Sequence, residues 1–441
     1  MGLDGDRRLR GRGRRPLVDP AVRRRDPGLR DRHRPDRVHH PGRRGMSPET
    51  ERGILEAIEA AQQAGGQLYA ETGLGSEPLP SDIYTGADRY RAEIERVLWR
   101  SWVPVARISE LTAPGSWLVR RIERAPIVLI RDASGGLHGF HNTCKHRGSL
   151  LARADGCGKR LVCPYHAWSY GLDGQLVHVP EPASYPPGFD PAEIGLARIS
   201  VDTAWGWLWA NLRPDPPGLL DFLGPQLLEE LENWQLPQLE HKGRLQRDGA
   251  FGWKIAVEGF LEPYHVPWVH RRSVHPIIRH QHTAMAWWGD HSRMVMALRD
   301  RGLYEPDGFL GRPAAAAGVG CLPRLNTLQR MANLVYLVWP TTILNLLPNH
   351  VVMIQLRPRA VDRTDVILDV LAPPTLDEAQ ADFWAELVAG YASLLDEDAS
   401  AFAAVQQGLS GPLQPPLILS HYDRRIRHFR SRLEAWLAPE S

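Results

Sequence analysis

The sequence predicts an α+β protein in which an all-β module is inserted into a larger domain, whose antiparallel sheet is packed by helices. Three observations lead to this fold class. Apolar residues recur at a helical spacing near the start of the chain, as in Ile54, Ala57, Ile58 and Ala61. From about residue 102 short strands follow, broken by glycine and proline. Further strands come after residue 290, and two amphipathic segments close the chain.

The individual elements follow in order along the chain. The segments 51–63 and 86–99 are predicted to be helices. The stretches "SWLVRRI", "APIVLIRD" and "GLHGFHN" are predicted to be strands, and "GLDGQL" (171–176) carries the Asp-Gly signature of a hairpin turn. This β-rich section ends near "GWLWANL" (206–212). We then expect a helical segment around 250–275, strands at 292–299, 334–346, 350–358 and 364–371, and helices at 376–409 and 420–437.

Composition limits the function classes. The chain has 441 residues, of which 43% are hydrophobic and 24% charged, as in ordinary globular proteins of two or three domains. It contains no run of about 18–20 uninterrupted apolar residues, so we expect no membrane span. Its four cysteines are too few for a disulfide framework and favour a reducing cytoplasm. Cys157 and Cys321 are expected to be plain thiols.

Residues 1–45 differ from the rest of the chain. They hold fifteen arginines and six aspartates, with no glutamate, lysine, isoleucine or aromatic residue. Their net charge of +9 leaves −7 for residues 46–441. Because this segment has no apolar residues at a regular period, it cannot form a core. We expect a disordered extension upstream of a native start at Met46, with a nucleic-acid-binding arm as the alternative.

Two short segments each place one thiolate beside one imidazole. Cys144 and His146 stand in "TCKH", Cys163 and His166 in "CPYH", and sixteen residues separate the two pairs. Structural zinc sites more often pair like ligands, as in C-x-x-C or H-x₃₋₅-H. Two cysteines and two histidines are the ligand set of a Rieske [2Fe–2S] centre, with the cysteines on one iron and the histidines on the other. The pattern predicts such a cluster, with a closed zinc site as the alternative.

A second candidate metal site lies in "WKIAVEGFLEPYHVPWVH" (253–270). Glu262 and His265 would share one face of a regular helix, whereas a step of five turns His270 away by about 140°. Pro267 must distort the helix, so both imidazoles can converge. One further carboxylate would complete the 2-His-1-carboxylate triad of non-haem Fe(II) oxygenases. We expect Glu262 to lie beside the two histidines and orient them, with a solvated helix-surface carboxylate as the alternative.

One charge interrupts an apolar stripe on the last long helix. The stripe residues fall at steps of three or four: Leu387, Tyr391, Leu395, Asp398, Phe402, Val405 and Leu409. An ionised carboxylate in such a stripe needs a cation or hydrogen bonds. We therefore predict that Asp398 is the third ligand of the second site, with a structural ion pair as the alternative. Asp396 and Glu397 point away from the stripe and are expected to be solvated.

With both sites in hand, the chain resembles the α subunit of Rieske non-haem iron aromatic-ring-hydroxylating oxygenases from about residue 78 to 437. "CKHRG…CPYHAW" is similar to the cluster loops of that family, and "EGFLEPYHVPWVH" is similar to its iron motif. "EDASAFAAVQQGL" is similar to the segment that delivers the third iron ligand. The resemblance implies a catalytic domain of the helix-grip (START-like) type. The expected parts of the chain are an N-terminal helical part of this catalytic domain at 46–100, a Rieske domain at 101–212 and the mononuclear-iron part of the catalytic domain at 213–441.

The resemblance also implies the roles of the site residues. Cys144, His146, Cys163 and His166 would hold the [2Fe–2S] cluster, and His265, His270 and Asp398 would hold a mononuclear Fe(II). Glu262 would take a catalytic role as the bridging carboxylate. In this family that residue links the iron histidine of one subunit to a cluster histidine, here His166, of its neighbour. A cyclic homotrimer is therefore expected.

Five positions carry further expectations. The family often has Asn where this chain has Gly259, so a contact from that side chain to iron is absent. Glutamate rather than aspartate at 262 is similar to the subgroup that oxidises quaternary ammonium compounds. Trp287 and Trp288 would form an aromatic cage for a methylated cation or, as the more common alternative, belong to the core or a subunit contact. Trp168 stands where high-potential Rieske proteins carry a serine, which predicts a low reduction potential.

The function implied is that of an oxygenase component. It would use O₂ and electrons from an NAD(P)H-dependent ferredoxin or flavin reductase to hydroxylate or dealkylate a small organic substrate, either aromatic or a quaternary ammonium compound. The alternatives are a Rieske-type electron-transfer or ligand-binding protein without turnover, and a zinc-stabilised nucleic-acid binder. We expect neither a nucleic-acid nor a membrane partner. The positions expected to line the substrate pocket are Phe260, Leu261, Trp268, Leu346 and Phe402.

Overall fold

The fold is described from a computed structural model, which covers residues 45–63, 73–299, 314 and 316–439. The expectations for the arginine-rich extension at 1–44, both as an upstream segment and as a nucleic-acid-binding arm, lie outside the described residues.

An all-β region occupies the first half of the described chain. One sheet has seven strands in the order β1-β10-β9-β4-β3-β2-β5, and a second has three in the order β6-β7-β8. The predicted hairpin turn is confirmed, because Gly174 has a φ of +86° in the turn that joins β7 to β8. The strands are β1 Val103–Arg107, β2 Ser116–Ile122, β3 Ala125–Arg131, β4 Leu137–His141, β5 Gly156–Cys157, β6 Arg160–Val162, β7 Ser169–Gly171, β8 Leu176–His178, β9 Arg198–Ala204 and β10 Trp207–Asn211.

A second seven-stranded sheet follows, antiparallel throughout, in the order β11-β17-β16-β15-β14-β13-β12. Its four predicted strand segments are confirmed, although 334–346 forms two strands rather than one. Two strands were not predicted: β11, in which polar residues dominate, and β12, in which a run of five polar residues precedes the apolar half. The strands are β11 Glu240–Gly249, β12 Ile278–Trp288, β13 His291–Leu298, β14 Ala332–Val338, β15 Thr342–Leu346, β16 Val351–Ala360 and β17 Arg363–Ala372.

The first two and the last two helices agree with the sequence, whereas the helices Leu219–Leu231 and Thr327–Met331 were not predicted. The expected helical segment at 250–275 is two short helices, α4 and α5, separated by an irregular stretch. The described helices are α1 Pro48–Gln63, α2 Ala87–Arg96, α3 Leu219–Leu231, α4 Trp253–Gly259, α5 Val266–Val269, α6 Thr327–Met331, α7 Glu378–Leu409 and α8 Arg424–Leu437. None of them combines the length and the apolar character that a bilayer span requires.

The second sheet is buried on both faces, which explains its long apolar runs. All seven residues of β14 are buried. Alternate residues point to opposite sides. Val335 and Leu337 face the cluster that contains residues of α7 and α8. Leu334 and Tyr336 face the cluster that contains residues of α1 and α3. The metal site described below lies on the side of α7, where the helix runs across the sheet.

The end of α4 packs closely against α7. A Cβ at Gly259 would lie 2.2 Å from the ring of Phe402, so only glycine allows this approach. The Phe402 ring also meets Phe251 and Phe260, with centroids 5.3 and 6.1 Å away. Phe402 therefore fills the space that a side chain at 259 would occupy. The departure from asparagine noted in the sequence thus has a packing reason.

We expect Gly259→Ala to destabilise the fold, because its methyl group overlaps with the Phe402 ring and α4 must move away from α7. Overpacking of this kind costs about 1–3 kcal/mol. The measurement is the midpoint of thermal unfolding, followed by circular dichroism. Combining the change with Phe402→Val, which makes room for the methyl group, should recover part of the loss relative to Phe402→Val alone. An unchanged midpoint for Gly259→Ala would contradict this packing.

Candidate metal centres

The first candidate centre is built from two loops of the β-rich region. Cys144 and His146 follow β4, and Cys163 and His166 lie between β6 and β7. The two loops share a hydrogen-bond pattern. The carbonyl of Cys144 accepts the N–H of Gly148 at 3.0 Å, and that of Cys163 accepts the N–H of Ala167 at 3.0 Å. Each loop therefore closes one tight turn that presents its cysteine and histidine on the same side.

The turns depend on two residues with positive φ. In the first loop Gly148 has a φ of +74°, which glycine adopts readily. In the second loop the residue with positive φ is Ala167, at +57°. The nearest glycine after the second loop, Gly171, takes no part in this turn, because it lies in β7. A non-glycine residue in the left-handed region stores strain, which the surrounding structure must hold in place.

The four side chains of these loops converge. Cys144 and Cys163 are 2% and 3% exposed, and the rings of His146 and His166 lie 4.6 Å apart between centroids. The Nδ1 atoms of both histidines are buried and have no hydrogen-bond partner among the described residues. A buried nitrogen without a partner is costly unless a metal binds it. None of the four cysteines, all of which are described, forms a disulfide.

The two thiols differ in their tendency to ionise. Burial raises the pKa of Cys144 above its usual value. Burial acts in the same direction on Cys163, but the backbone N–H groups of Tyr165 and His166 stabilise the thiolate and lower its pKa. The thiolate is the form that binds a metal. Two thiolates and two imidazoles facing one point fit a cluster in which each pair holds one iron.

Two aromatic residues, Trp168 and Tyr170, lie beside this site, and the sequence drew attention only to Trp168. The Trp168 ring stacks on His146, with centroids 5.1 Å apart, and its Nε1 donates to the hydroxyl of Tyr185 at 3.1 Å. The indole thus makes no hydrogen bond to a cluster ligand, as the sequence indicated. Sequence reasoning missed Tyr170, whose hydroxyl lies 3.3 Å from Cys144 Sγ and accepts the N–H of Lys145 at 3.0 Å. Because that N–H supplies one proton to the oxygen, the hydroxyl hydrogen is free to point at the sulfur.

The second candidate centre lies where the chain leaves α4. The helix ends at Gly259, and α5 is a single turn with Pro267 at its second position. The expected distortion is therefore a complete break placed before the proline. His265 caps the start of α5 and His270 caps its end. One helical turn between them brings the two imidazole rings to 5.2 Å between centroids.

Glu262 contacts the first histidine. Its Oε1 lies 2.5 Å from His265 Nδ1, and its Oε2 accepts the backbone N–H groups of Tyr264 and His265, the latter at 3.1 Å. The carboxylate thus closes the turn that precedes α5 and fixes the imidazole ring at the same time. Since Nδ1 is held by Glu262, Nε2 of His265 is the nitrogen left for a metal.

His270 is held in the same manner, by a residue that was assigned wrongly. Glu397 Oε2 lies 2.7 Å from His270 Nδ1 and accepts the hydroxyl of Ser273 at 2.6 Å. Glu397 is therefore not simply a solvated carboxylate. Its neighbour Asp396 matches the expectation more closely, since its side chain is 62% exposed and pairs with Arg247 at 2.8 Å.

Asp398 completes the group from α7. Its Oδ1 lies 2.9 Å from His270 Nε2 and 3.9 Å from His265 Nε2, and one atom of each residue lies within 4.8 Å of the others. Burial alone would lower the pKa of His270, but the hydrogen bonds and charges of Asp398 and Glu397 raise it. Two nitrogens and one carboxylate oxygen at this separation fit one metal ion with open positions, as in a facial triad.

The apolar stripe of α7 is confirmed except at one position. Tyr391, Leu395, Asp398, Phe402 and Leu409 are buried, whereas Val405 is 47% exposed. The next residue, Gln406, is buried in its place and accepts the N–H of Gly252 at 2.8 Å. This bond ties α7 to the start of α4, the helix that leads into the histidine segment.

A cavity of about 110 Å³ lies beside the three ligands. Polar residues occur among its walls at Asn333, Asn345 and Tyr391, apart from the ligand cluster itself. The remaining walls are largely aliphatic, from the sheet, α7 and the segment after α5: Val266, Val274, Ile278, Met294, Met296, Val335, Ile343, Val352, Ile354, Leu368, Leu394 and Leu395. An apolar cavity that reaches a metal site excludes water from most of its volume.

The positions expected to line this cavity were mostly wrong. Phe260 lines it. Leu261 is fully buried in the core, and Trp268 is 76% exposed at the surface. Leu346 faces the opposite side of the sheet, and Phe402 packs beneath Gly259. The sequence identified the segments correctly but could not give the direction of each side chain.

The tryptophan pair lies away from the metal site. Trp287 stacks on His428 with centroids 5.7 Å apart, and Trp288 meets Tyr336 at 6.5 Å on the opposite side of the sheet. Neither lines the cavity beside the three ligands. The aromatic-cage hypothesis is therefore wrong for this cavity, and the alternative of a packing role describes the pair.

Two family models match the chain over the regions just described. Residues 101–194 match the Rieske [2Fe-2S] domain. Residues 236–439 match the catalytic domain of the ring hydroxylating alpha subunit. The first match selects the iron–sulfur cluster over a zinc site for the cysteine and histidine loops. The two domains together imply a Rieske cluster and a mononuclear iron, and the donor groups described above fit both.

Known proteins agree with these matches. The glycine betaine monooxygenase oxygenase subunit of Chromohalobacter salexigens is 31% identical over 246 residues, which are 56% of this chain and 53% of that protein. The chain thus spans about half the length of the curated relatives it matches. A crystal structure of a quaternary ammonium Rieske monooxygenase has a TM-score of 0.66 at 21% identity, over 82% of this chain and 95% of that one.

Naphthalene 1,2-dioxygenase from Rhodococcus sp. has the same TM-score, 0.66, at 17% identity, over 90% of this chain and all of that one. At such identities the two structures establish the fold alone. Together with the two family models and the two converging ligand sets, they lead to one conclusion: the chain belongs to the family of Rieske non-haem iron ring-hydroxylating oxygenase α subunits.

Proposed function

We propose that the protein is the oxygenase component of a Rieske non-haem iron oxygenase system. It takes electrons from an NAD(P)H-dependent ferredoxin or flavin reductase and uses O₂ to hydroxylate or dealkylate a small organic substrate. The observation that carries the proposal is the group His265, His270 and Asp398, which opens on a largely apolar cavity. A purely electron-transferring or ligand-binding protein has no need of three such ligands at the end of a cavity.

The residues present divide the work between two groups. When bound, the cluster would supply single electrons and the iron would supply the site at which O₂ is reduced. Glu262 and Glu397 hold the imidazole rings through Nδ1 and keep each Nε2 aimed at a common point. The carboxylate of Asp398 offsets the charge of a divalent ion in a site from which water is largely excluded. The aliphatic walls keep the reacting part of the substrate away from bulk solvent.

We also propose that electrons cross between subunits of a cyclic homotrimer. Large aromatic side chains are exposed beside both centres: Tyr165 is 55% exposed next to His166, and Tyr264 and Trp268 are 51% and 76% exposed next to His265. Exposed aromatic residues near functional groups are typical of contact surfaces. Glu262 lies beside the same surface and can still accept a hydrogen bond from His166 of a neighbouring subunit. The structure of one quaternary ammonium Rieske monooxygenase gives insights into inter-subunit electron transfer.

The compartment and the substrate class are part of the same proposal. All four cysteines are unpaired, which suits the reducing cytoplasm. The names of the relatives point to two substrate classes, since one acts on glycine betaine and another on naphthalene. The cavity walls favour a substrate whose body is apolar, whichever of the two chemistries it undergoes.

Replacing Asp398 by alanine should remove the mononuclear iron and O₂-dependent substrate oxidation while the visible absorption of the cluster stays intact. A chain with both centres holds about three irons, and a chain with the cluster alone holds about two. Metal analysis and NADH-coupled turnover give the two readouts. Asp396→Ala is the matched control, because it removes an exposed carboxylate from the same helix, one that pairs with Arg247 of β11. A third iron that survives in Asp398→Ala refutes this ligand.

Replacing Glu397 by glutamine should weaken iron binding without abolishing it, since His270 remains but loses the charge that orients it. Loss of such a partner lowers metal affinity by about 10–100-fold. Competition with a chelator measures the affinity. Asp382→Asn, an exposed change on the same helix, should leave the affinity unchanged. Equal affinities for Glu397→Gln and the wild-type protein would show that the hydrogen bond does not position His270.

Replacing Tyr170 by phenylalanine should lower the reduction potential of the cluster, because the reduced, more negative cluster loses a hydrogen bond to Cys144 Sγ. A difference of about 1 kcal/mol between the two oxidation states corresponds to about 40 mV for one electron. A redox titration followed by the EPR signal of the reduced cluster measures the shift. Tyr185→Phe, which removes only the partner of Trp168, should have a much smaller effect. The expectation of a low potential, below about 0 mV, is checked by the same titration.

A further inference from the structure

The cavity beside the metal ligands continues into a second one. The second cavity has a volume of about 300 Å³ and shares six lining residues with the first: Val274, Ile278, Asn333, Asn345, Tyr391 and Leu394. Beyond them it reaches Phe383 and Leu387 of α7 and ends near Glu386, which is exposed. A molecule entering from this side passes the shared residues before it reaches the metal ligands.

The shared wall carries an unusual polar pair. Asn333 is only 3% exposed, and it lies on the sheet face beside Asn345. Its Nδ2 group donates to Asn345 Oδ1 at 2.5 Å and to the carbonyl of Leu346 at 3.1 Å. The carbonyl requires a donor, so the orientation of the Asn333 amide is fixed, and Asn345 must then present its oxygen to it.

This arrangement leaves specific groups unused. Each asparagine offers two N–H donors and one acceptor oxygen. Both donors of Asn333 are occupied, while its Oδ1 and the Nδ2 group of Asn345 have no partner among the described residues. Polar atoms in an apolar cavity cost free energy unless a ligand or water satisfies them. An acceptor and a donor set side by side match a group that has both, such as a carboxamide.

The position of this pair relative to the metal ligands follows from α7. Tyr391, which lines the same junction, precedes Asp398 by seven residues on the helix and so lies about 10 Å from it along the axis. Its hydroxyl hydrogen is not available to a ligand. The hydroxyl oxygen lies 2.7 Å from Nε2 of His350, whose Nδ1 lies 2.5 Å from Asn349 Oδ1. Burial lowers the pKa of His350 to about 3, so the imidazole is neutral and the tyrosine donates to it.

The charged residues that line the two cavities limit which ligand the asparagine pair can bind. Among the described residues that line the two cavities, Glu262 and Asp398 belong to the metal site, Glu386 lies at the outer end, and lysine and arginine do not occur. A carboxylate bound at the asparagine pair would lose its hydration without a countercharge. A quaternary ammonium group would need aromatic faces around it. Tyr391 is the one aromatic residue that both cavities share.

We propose that Asn333 and Asn345 select a neutral substrate that carries a carboxamide-like group on an apolar body. The inference rests on the proposed oxygenase function and specifies the substrate class of the same site. The carbonyl oxygen of the ligand accepts from Asn345 Nδ2, and its N–H donates to Asn333 Oδ1. The apolar part then extends past Tyr391 and Leu394 toward the metal ligands.

Three probes of similar size and different charge test this directly on the iron-loaded protein: 3-phenylpropanamide, 3-phenylpropanoate and trimethyl(2-phenylethyl)ammonium. Binding is measured by isothermal titration calorimetry without O₂ or reductant, so the readout does not depend on turnover. We expect the amide to bind at least about tenfold more tightly than either charged probe. A charged probe that binds as tightly as the amide, or an amide that does not bind, overturns the proposal.

Substitutions identify the residues. Asn345→Leu keeps the volume of the side chain and should weaken amide binding about tenfold, while Asn345→Asp should weaken the amide and strengthen the ammonium probe. Thr342→Val, a polar-to-apolar change on the same strand outside both cavities, should change neither. If Asn345→Leu does not fold, Asn345→Ser replaces it. Unchanged amide binding in the Asn345 variants refutes the polar pair.

The experiment also separates the two proposals. If the oxygenase function fails, the third iron or the O₂-dependent turnover is missing in the wild-type protein, whatever the probes do. If the inference about the substrate fails, iron content and cluster spectrum remain intact and the preference among the three probes does not depend on Asn345. Metal analysis of each variant sample distinguishes these results.

Discussion

The contact of Glu397 and Asp398 of α7 with His270 is the interaction on which the rest of the site depends. Glu397 and Asp398 are neighbours on the helix, about 100° apart around its axis. The first holds Nδ1 of His270 at 2.7 Å, and the second faces Nε2 at 2.9 Å. One imidazole is thus held from both sides by consecutive residues of a single helix. This contact attaches the irregular segment after α4 to α7. It therefore helps to fix the position of α7 relative to that segment, and both line the cavity.

The same contact explains why the site requires a cation. Glu262, Glu397 and Asp398 bring three carboxylates to two imidazoles in a partly buried place. Burial alone lowers the pKa of His270, but the two carboxylates on it outweigh this effect and raise the pKa. A proton on the histidine offsets the negative charge only in part. A divalent ion bound by both Nε2 atoms and Asp398 would offset it more completely, and metal binding should therefore displace that proton.

Much of the site could be predicted from the sequence because its ligands come in short, local sets. Cys144 with His146, Cys163 with His166, and His265 with His270 each lie within six residues, and Asp398 is the one charge on an apolar stripe. The sequence did not predict the direction in which individual side chains point. Glu397 lies off the stripe in projection, and helical periodicity does not describe how far a flexible carboxylate reaches back to His270. Asn333 and Asn345 lie near the two ends of a long apolar run. The sequence predicts a strand there and no role for the two asparagines.

The residue that suggested a substrate class in the sequence is not placed to select one. Both oxygens of Glu262 already have partners within the chain, Oε1 at His265 Nδ1 and Oε2 at the backbone N–H groups of the turn before α5. In the proposed trimer its remaining capacity to accept a hydrogen bond serves the neighbouring subunit. Charge selection needs side chains whose polar atoms remain free in the cavity, and on the sheet face Asn333 and Asn345 satisfy that condition. The metal loops thus determine which chemistry is available, while the sheet determines which molecule is held in front of it.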